Sequence, residues 1–254
     1  MLPDFNNAFV EALLDLSIEA GDAILEIYHT DFDIRTKEDS SPVTEADEKA
    51  EAIILAGLAK LAPDIPAIGE EAFTAGKRPD ISGGVFWLVD ALDGTKEFVN
   101  KRDEFTVNIA LIENGLPVFG IVHVPAKSRT YWGGPFGAFV RDLGVEKQAI
   151  QARQPANDGI VVATSRSHRD GEEEFLSDYR VKEVIITGSS IKICLIAAGE
   201  ADLYPRLGPT SEWDIAAGHA VLAAAGGSIT KIDGSPFVYG KENILNPHFI
   251  AKGR

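Results

Sequence analysis

Two apolar runs at residues 106–112 and 117–124 restrict the fold more than any other part of the sequence. Both runs are rich in valine and isoleucine, and Asn114 and Gly115 between them accept the positive φ angles that a tight turn requires. The runs are therefore predicted to pair as an antiparallel hairpin. A second hairpin is predicted where glycines cluster at residues 133–137, so the first half of the chain contains an antiparallel sheet.

Segments with helical periodicity occur both before and after these strands in the sequence. Apolar residues recur at helical spacing over residues 5–28, and Thr44 with Asp47 forms the capping-box pattern that opens a second helix. The further predicted elements are strands at 85–89, 160–163, 184–187, 228–232 and 248–252 and helices at 189–198 and 212–225. The pattern predicts an α+β protein with two subdomains, 1–150 and 151–254, that share one cleft.

The composition narrows the class of partner and the compartment. The chain has 39 acidic and 24 basic residues and a formal net charge of −15, so its field repels polyanions, and no nucleic acid polymer is expected as a partner. Cys194 is the single cysteine, which excludes an intrachain disulfide and favours a reducing, cytoplasmic location. No apolar run approaches the ~18 residues of a membrane span, and no transmembrane segment is expected.

The segment WLVDALDGTKEF combines features of a metal site and a phosphate site. Asp90 and Asp93 follow a predicted strand and are separated by two residues of a turn, an arrangement that lets both carboxylates face a hard cation. The backbone carbonyl of Leu92 lies between them and is a further candidate ligand. Gly94 and Thr95 precede a predicted short helix, where their amides are placed to hold a phosphate group.

Asp90, Asp93 and three acids elsewhere in the chain each have a purely structural interpretation as well. Asp93 suits a helix cap and Asp90 the end of a strand, while Glu70, next to a second glutamate, suits a solvated loop. Asp214 at the start of a helix favours the helix dipole, and Asp47 is where a capping box requires an acid. Residue types and spacing alone leave both interpretations open.

Taken together and in order, GEEA, WLVDALDGTKEF and SEWDIAAGHAVLAAAGG resemble the motifs of the inositol monophosphatase superfamily of metal-dependent phosphatases, over about residues 37–232. The resemblance implies a layered α/β/α/β/α sandwich of the inositol monophosphatase and sugar phosphatase type. It implies two or three Mg²⁺ ions held by Glu70, Asp90, Asp93, Asp214 and the carbonyl of Leu92. It also implies that Asp47 and Thr95 activate the attacking water.

Within the superfamily, DGTKEF, EFTVNIALI and GSSIKICLIAAGEADLYPRLGPTSEWDIAAGHA resemble most the 3′(2′),5′-bisphosphate nucleotidases of the CysQ type. The implied reaction is hydrolysis of adenosine 3′,5′-bisphosphate to AMP and phosphate in sulfate assimilation, with inhibition by Li⁺. The implied substrate-facing residues are Glu70, His168, Ser189, Lys192, Arg206 and Asp214. Ser189 also suits a helix cap, and Lys192 and Arg206 also suit solvated surface charges.

One departure and two rival functions accompany this resemblance. Ala91 stands where the family motif has proline, which removes a fixed φ angle and predicts a more flexible loop with weaker metal binding. The first rival is a phosphatase for inositol or sugar monophosphates. The second is a non-enzymatic module that binds divalent cations, which would need the acids without the Asp47 and Thr95 pair. A homodimer and peripheral association with the inner membrane are left open.

Overall fold

A computed structural model of the chain describes residues 2–36, 42–166 and 171–254. The chain begins with two long helices, α1 (Asn7–Tyr28) and α2 (Glu45–Leu61), with the short antiparallel strands β1 (Arg35–Thr36) and β2 (Pro42–Val43) between them. Thr44 caps α2, and Asp47 accepts a hydrogen bond from the Thr44 amide at 2.8 Å. The predicted capping box is therefore confirmed.

A seven-stranded sheet follows in the order β3-β4-β5-β6-β7-β8-β9. Its strands are β3 (Ala67–Gly69), β4 (Val85–Asp93), β5 (Thr106–Glu113), β6 (Leu116–Val124), β7 (Arg129–Gly134), β8 (Gly137–Asp142) and β9 (Gln148–Ile150). The short helices α3 (Glu70–Thr74) and α4 (Thr95–Val99) follow β3 and β4, and a 3₁₀ turn spans Pro125–Lys127. Asn114 (φ 50°) and Gly115 (φ 80°) form the turn between β5 and β6, which confirms the predicted hairpin.

The second half forms a five-stranded sheet in the order β11-β10-β12-β14-β13. Its elements are β10 (Ile160–Thr164), α5 (Glu172–Leu176), β11 (Val181–Ile186), α6 (Ile191–Ala197), β12 (Leu203–Arg206), α7 (Glu212–Ala224), β13 (Ser228–Lys231) and β14 (Phe249–Lys252). β10 runs parallel to β11 and β12, and the remaining neighbours are antiparallel.

The two faces of the seven-stranded sheet bury different helices. Side chains alternate across β4, so that Trp87 and Val89 pack with α1 and α2 while Phe86 and Leu88 pack with α6 and α7. The second face admits α7 very closely, because a Cβ at Gly120 of β6 would lie only 2.4 Å from the carbonyl oxygen of Ala217. α6 and α7 therefore lie between the two sheets.

The fifth layer follows from the handedness of the parallel connections. The chain moves from β10 to β11 in one direction along the sheet, and from β11 back past β10 to β12 in the other. Right-handed crossovers then place the two connecting helices on opposite faces, so α6 is internal and α5 external. The predicted α/β/α/β/α layering is confirmed.

Some boundaries differ from the sequence-based prediction. β4 continues to Asp93 rather than ending at Val89, because a bulge between Asp90 and Asp93 keeps the strand paired with β5. The division into subdomains at residue 150 stays a prediction. Helix α7 belongs to the second half of the chain but packs directly on the seven-stranded sheet of the first half, so the two halves share a core. Across the three described segments, no helix is long and apolar enough to span a bilayer.

Candidate active site

Three acids meet at one end of the seven-stranded sheet. Glu70 begins α3, Asp90 lies on β4, and Asp214 lies in the first turn of α7. Each offers one carboxylate oxygen, and these oxygens lie within 4.8 Å of one another. The group lines a cleft of about 280 Å³ that also contains Lys192 and Arg206.

Burial makes simultaneous ionisation of these neighbouring acids energetically unfavourable. Burial raises the pKa of Asp90 well above its usual range, and the charges of Glu70, Asp93 and Asp214 raise it further. Burial likewise raises the pKa of Asp214, with further contributions from Asp93 and Glu70. A hard divalent cation such as Mg²⁺ would offset this repulsion, and the all-oxygen donor set fits such an ion.

Asp93 is close to this group but is held from the second half of the chain. Its Oδ2 accepts hydrogen bonds from the Ser189 hydroxyl at 2.7 Å and from the Ser190 amide at 2.8 Å. Ser189 adopts a left-handed conformation with φ of 54°, which is uncommon for a residue with a side chain. The backbone just before α6 thus turns so that two consecutive residues contact one carboxylate.

Asp47 and Thr95 are brought together across 48 positions of sequence. Asp47 Oδ2 accepts from the amide and the hydroxyl of Thr44, both at 2.8 Å, while Oδ1 accepts from the Thr95 hydroxyl at 3.2 Å. The carbonyl of Leu92 also lies 3.2 Å from this hydroxyl. Asp47 therefore caps α2 and contacts Thr95 at once, so the structural and the functional interpretation are compatible.

The turn after β4 depends on Gly94. Its φ of 92° lies in the left-handed region, and a Cβ there would lie 3.1 Å from the carbonyl oxygen of Glu104. Glycine therefore allows β4 to turn directly into α4, whose first residue is Thr95. Phosphate binding by the Gly94 and Thr95 amides stays a prediction.

Lys192 and Arg206 are both buried in the cleft, which excludes their interpretation as solvated surface charges. Lys192 is 4% exposed and donates to the carbonyl of Ser189 at 2.7 Å. Burial lowers its pKa to about 8, although the charge of Asp93 acts in the opposite direction. Arg206 donates to the carbonyl of Pro209 at 2.8 Å, and its buried Nε has no hydrogen-bond partner within the described segments. His168 lies outside the described residues.

Two residues that support the site, Glu51 and Ser190, were not predicted from the sequence. Glu51 is buried one helical turn after Asp47 and accepts from the amides of Glu71 and Ala72, both at 2.8 Å, at the start of α3. Its spacing from Asp47 placed both acids on one face of α2, a signal that was available. Ser190 contacts both Asp93 and the backbone of the Asp214 helix, a role that no local pattern reveals.

Comparison with known proteins shows similarity over nearly the whole chain. A model of the inositol monophosphatase family matches residues 6–253, a range that includes every predicted site residue. The chain is 44% identical over 246 residues to the 3′(2′),5′-bisphosphate nucleotidase CysQ of Shigella flexneri, covering 94% of this chain and 98% of that protein. It is 43% identical over 244 residues to the protein of the same name from Escherichia coli strain K12, with the same coverage.

Solved structures give the same result. The crystal structure of CysQ from Bacteroides thetaiotaomicron, described as a bacterial member of the inositol monophosphatase family, matches with a TM-score of 0.82 at 36% identity, covering 98% of both chains. The Thermotoga maritima IMPase matches with a TM-score of 0.78 at 26% identity, covering 96% of this chain and 91% of that chain.

Proposed function

The chain belongs to the inositol monophosphatase family, and we propose that it is a Mg²⁺-dependent 3′(2′),5′-bisphosphate nucleotidase. The reaction is hydrolysis of the 3′-phosphate of adenosine 3′,5′-bisphosphate, which yields AMP and inorganic phosphate. The name of the relatives supports this substrate, and the resemblance assigns it to sulfate assimilation and predicts sensitivity to Li⁺.

The observation that carries the proposal is the pairing of opposite charges in one cleft. The acidic group of Glu70, Asp90 and Asp214 suits a metal that binds the phosphate to be removed. Lys192 and Arg206 are buried in the same cleft, where burying a charge is costly unless an opposite charge meets it. Asp93 already acts on Lys192, and a second phosphate on the substrate would add negative charge beside the unpartnered Nε of Arg206.

The candidate metal ligands are all oxygen donors. They are the carboxylates of Glu70, Asp90, Asp93 and Asp214 and the carbonyl of Leu92, with two or three Mg²⁺ ions proposed per site. When bound, Mg²⁺ supplies positive charge that offsets the charge of the phosphate and lowers the pKa of water. Because the ligands come from three separate elements, closure of the fold brings them together.

Asp47 and Thr95 are the proposed water-activating pair. The Thr95 hydroxyl donates to Asp47 Oδ1, which leaves the Thr95 oxygen free to accept a hydrogen bond from the attacking water. Asp47 then takes the proton of that water by way of the Thr95 hydroxyl. The Gly94 and Thr95 amides are proposed to bind the phosphate oxygens on which charge develops.

The retained 5′-phosphate is proposed to contact Lys192 and Arg206. The unpartnered Nε of Arg206 is a buried donor, and phosphate oxygens are acceptors of the kind it lacks. Ser189 lines the same cleft, and Tyr204 lies beneath Lys192, whose Nζ is 5.2 Å from the ring centre. His168 is retained as a proposed substrate contact.

The test is phosphate release from adenosine 3′,5′-bisphosphate and from inositol 1-phosphate, measured side by side with Mg²⁺ and with EDTA. We expect Mg²⁺-dependent release mainly from the bisphosphate. Lys192→Met should raise KM for the bisphosphate, while the control Lys182→Met, at an exposed lysine paired with Asp158, should not. Preference for inositol 1-phosphate would instead support the inositol monophosphatase function, and no release from either would refute both.

Other properties stay predictions from the sequence. A cytoplasmic location rests on the single cysteine, Cys194, which is buried. Formation of a homodimer and peripheral association with the inner membrane have no support in the contacts described for this chain.

A further inference from the structure

Ser190 links two acids that come from different halves of the chain. We propose that Ser190 is a positioning residue that sets the separation between Asp93 and Asp214 and thereby the affinity of the site for divalent cations. The inference rests on the proposed metal-dependent function. It concerns a residue at the start of α6 that is 2% exposed.

The first link runs from Ser190 to the end of β4. The Ser190 amide is shared between Asp93 Oδ2 at 2.8 Å and the Ser189 oxygen at 2.6 Å, and the Ser189 hydroxyl donates to the same Asp93 oxygen at 2.7 Å. Two donors on one carboxylate oxygen fix the orientation of the whole carboxylate, because its second oxygen then has a single accessible position.

The second link runs from Ser190 to α7. The Ser190 hydroxyl lies 2.6 Å from the backbone carbonyl oxygen of Asp214 and 3.3 Å from Asp93 Oδ2. A hydroxyl has one proton, and the shorter distance assigns it to the Asp214 carbonyl. Asn108 of β5 donates its side-chain amide to the Ser190 oxygen at 3.0 Å, which holds the hydroxyl in that orientation.

The Asp214 side chain is itself fixed relative to its helix. Its Oδ2 accepts from the amide of Ser211 at 2.8 Å, as the third residue of a capping box. The carboxylate of Asp214 therefore moves with the first turn of α7. Since Ser190 fixes that turn to Asp93, two hydrogen bonds span the distance between the candidate ligands on β4 and on α7.

Removing the hydroxyl breaks one of these bonds and leaves the other. In Ser190→Ala the amide still donates to Asp93, but the hydrogen bonds that join the hydroxyl to the Asp214 carbonyl and to the Asn108 amide are lost. Mutation of a residue that hydrogen-bonds to a metal ligand and orients it typically lowers metal affinity or activity by about 10- to 100-fold. We therefore expect the dissociation constant for the metal to rise by that factor.

The experiment measures Mn²⁺ binding to the full chain without substrate, by electron paramagnetic resonance or calorimetry, for the wild type, Ser190→Ala and Ser17→Ala. Ser17 is a matched control, because its buried hydroxyl also donates to a backbone carbonyl, that of Leu14 at 2.7 Å, but on α1. Asn108→Ala removes the donor to the Ser190 oxygen, together with a longer contact to Asp93 Oδ2 at 3.5 Å. Melting temperatures establish that each variant is folded.

The proposal is supported if Ser190→Ala and Asn108→Ala weaken Mn²⁺ binding while Ser17→Ala keeps the wild-type dissociation constant. It is overturned if Ser190→Ala binds Mn²⁺ as the wild type does, even where KM for substrate rises, since Ser190 would then act on the substrate alone. Failure of the wild type to release phosphate would refute the proposed function, and the Mn²⁺ measurement would still decide the role of Ser190.

Discussion

Glu51 is predicted to support both the stability of the protein and its metal site. Its carboxylate accepts two backbone hydrogen bonds, from Glu71 and Ala72, at the start of the helix that carries Glu70. A hydrogen bond to a charged group contributes about 1.5–3 kcal/mol. In Glu51→Gln the remaining carbonyl oxygen still accepts one hydrogen bond, but the NH₂ group is a donor and cannot accept from the second backbone N–H. The variant therefore loses about one hydrogen bond of this strength.

For a protein of this size, each kcal/mol corresponds to about 2–4 °C in melting temperature. Glu51→Gln should therefore lower Tm by about 3–12 °C in a calorimetric or circular dichroism melt. Because α3 loses an anchor, the Mg²⁺ concentration for half-maximal phosphate release should rise as well. Both measurements use the same purified variant.

Glu48→Gln is the matched control on the same helix. Glu48 is 54% exposed and pairs with Arg35 at 3.0 Å, and exposed pairs contribute about 0–1 kcal/mol. A Tm of Glu51→Gln equal to that of Glu48→Gln would refute the assigned hydrogen bonds. A lowered Tm with unchanged Mg²⁺ dependence would refute the link from Glu51 to Glu70.

Three further predictions concern the site itself. Asp93→Ala should abolish turnover at any substrate concentration, because loss of a metal ligand removes transition-state stabilisation; residual wild-type kcat would contradict the site. At pH values above 8, KM for the bisphosphate should increase. Burial lowers the pKa of Lys192 to about 8, so its positive charge is lost as pH rises through that value. Lys192→Met should remove this pH dependence of KM. Mg²⁺ at a hundredfold excess over its dissociation constant should stabilise the protein by about 2.7 kcal/mol, or about 5–11 °C in Tm. That shift should shrink in mildly acidic buffer, because the raised pKa values of Asp90 and Asp214 let protons compete, and an equal shift at both pH values would refute the competition.

The sequence predicted those parts of the site that local patterns encode. Thr44 with Asp47 and Asn114 with Gly115 specify a cap and a turn through their own backbone preferences, and both are found where predicted. Asp90 and Asp93 were predicted as metal ligands from their spacing and the resemblance, and that role stays a prediction. Such features depend on neighbours within a few residues, so one segment of sequence suffices.

The parts that escaped prediction depend on contacts between distant segments. Ser190 is an ordinary serine until α6 packs beside β4 and α7, and the burial of Lys192 depends on the same packing. The extension of β4 to Asp93 likewise required its partner β5. The contacts of Ser190, the burial of Lys192 and the extent of β4 all depend on tertiary packing. The residue pattern within one segment carries no information about that packing.

The position of α7 between the two sheets also determines when the site can assemble during protein synthesis. Glu70, Asp90 and Asp93 are made early, whereas Asp214 follows more than a hundred residues later. Until α7 is made, the face of β6 at Gly120 lacks the helix that covers it. The nascent chain therefore exposes apolar sheet and an incomplete ligand set together, and both are resolved when α7 inserts.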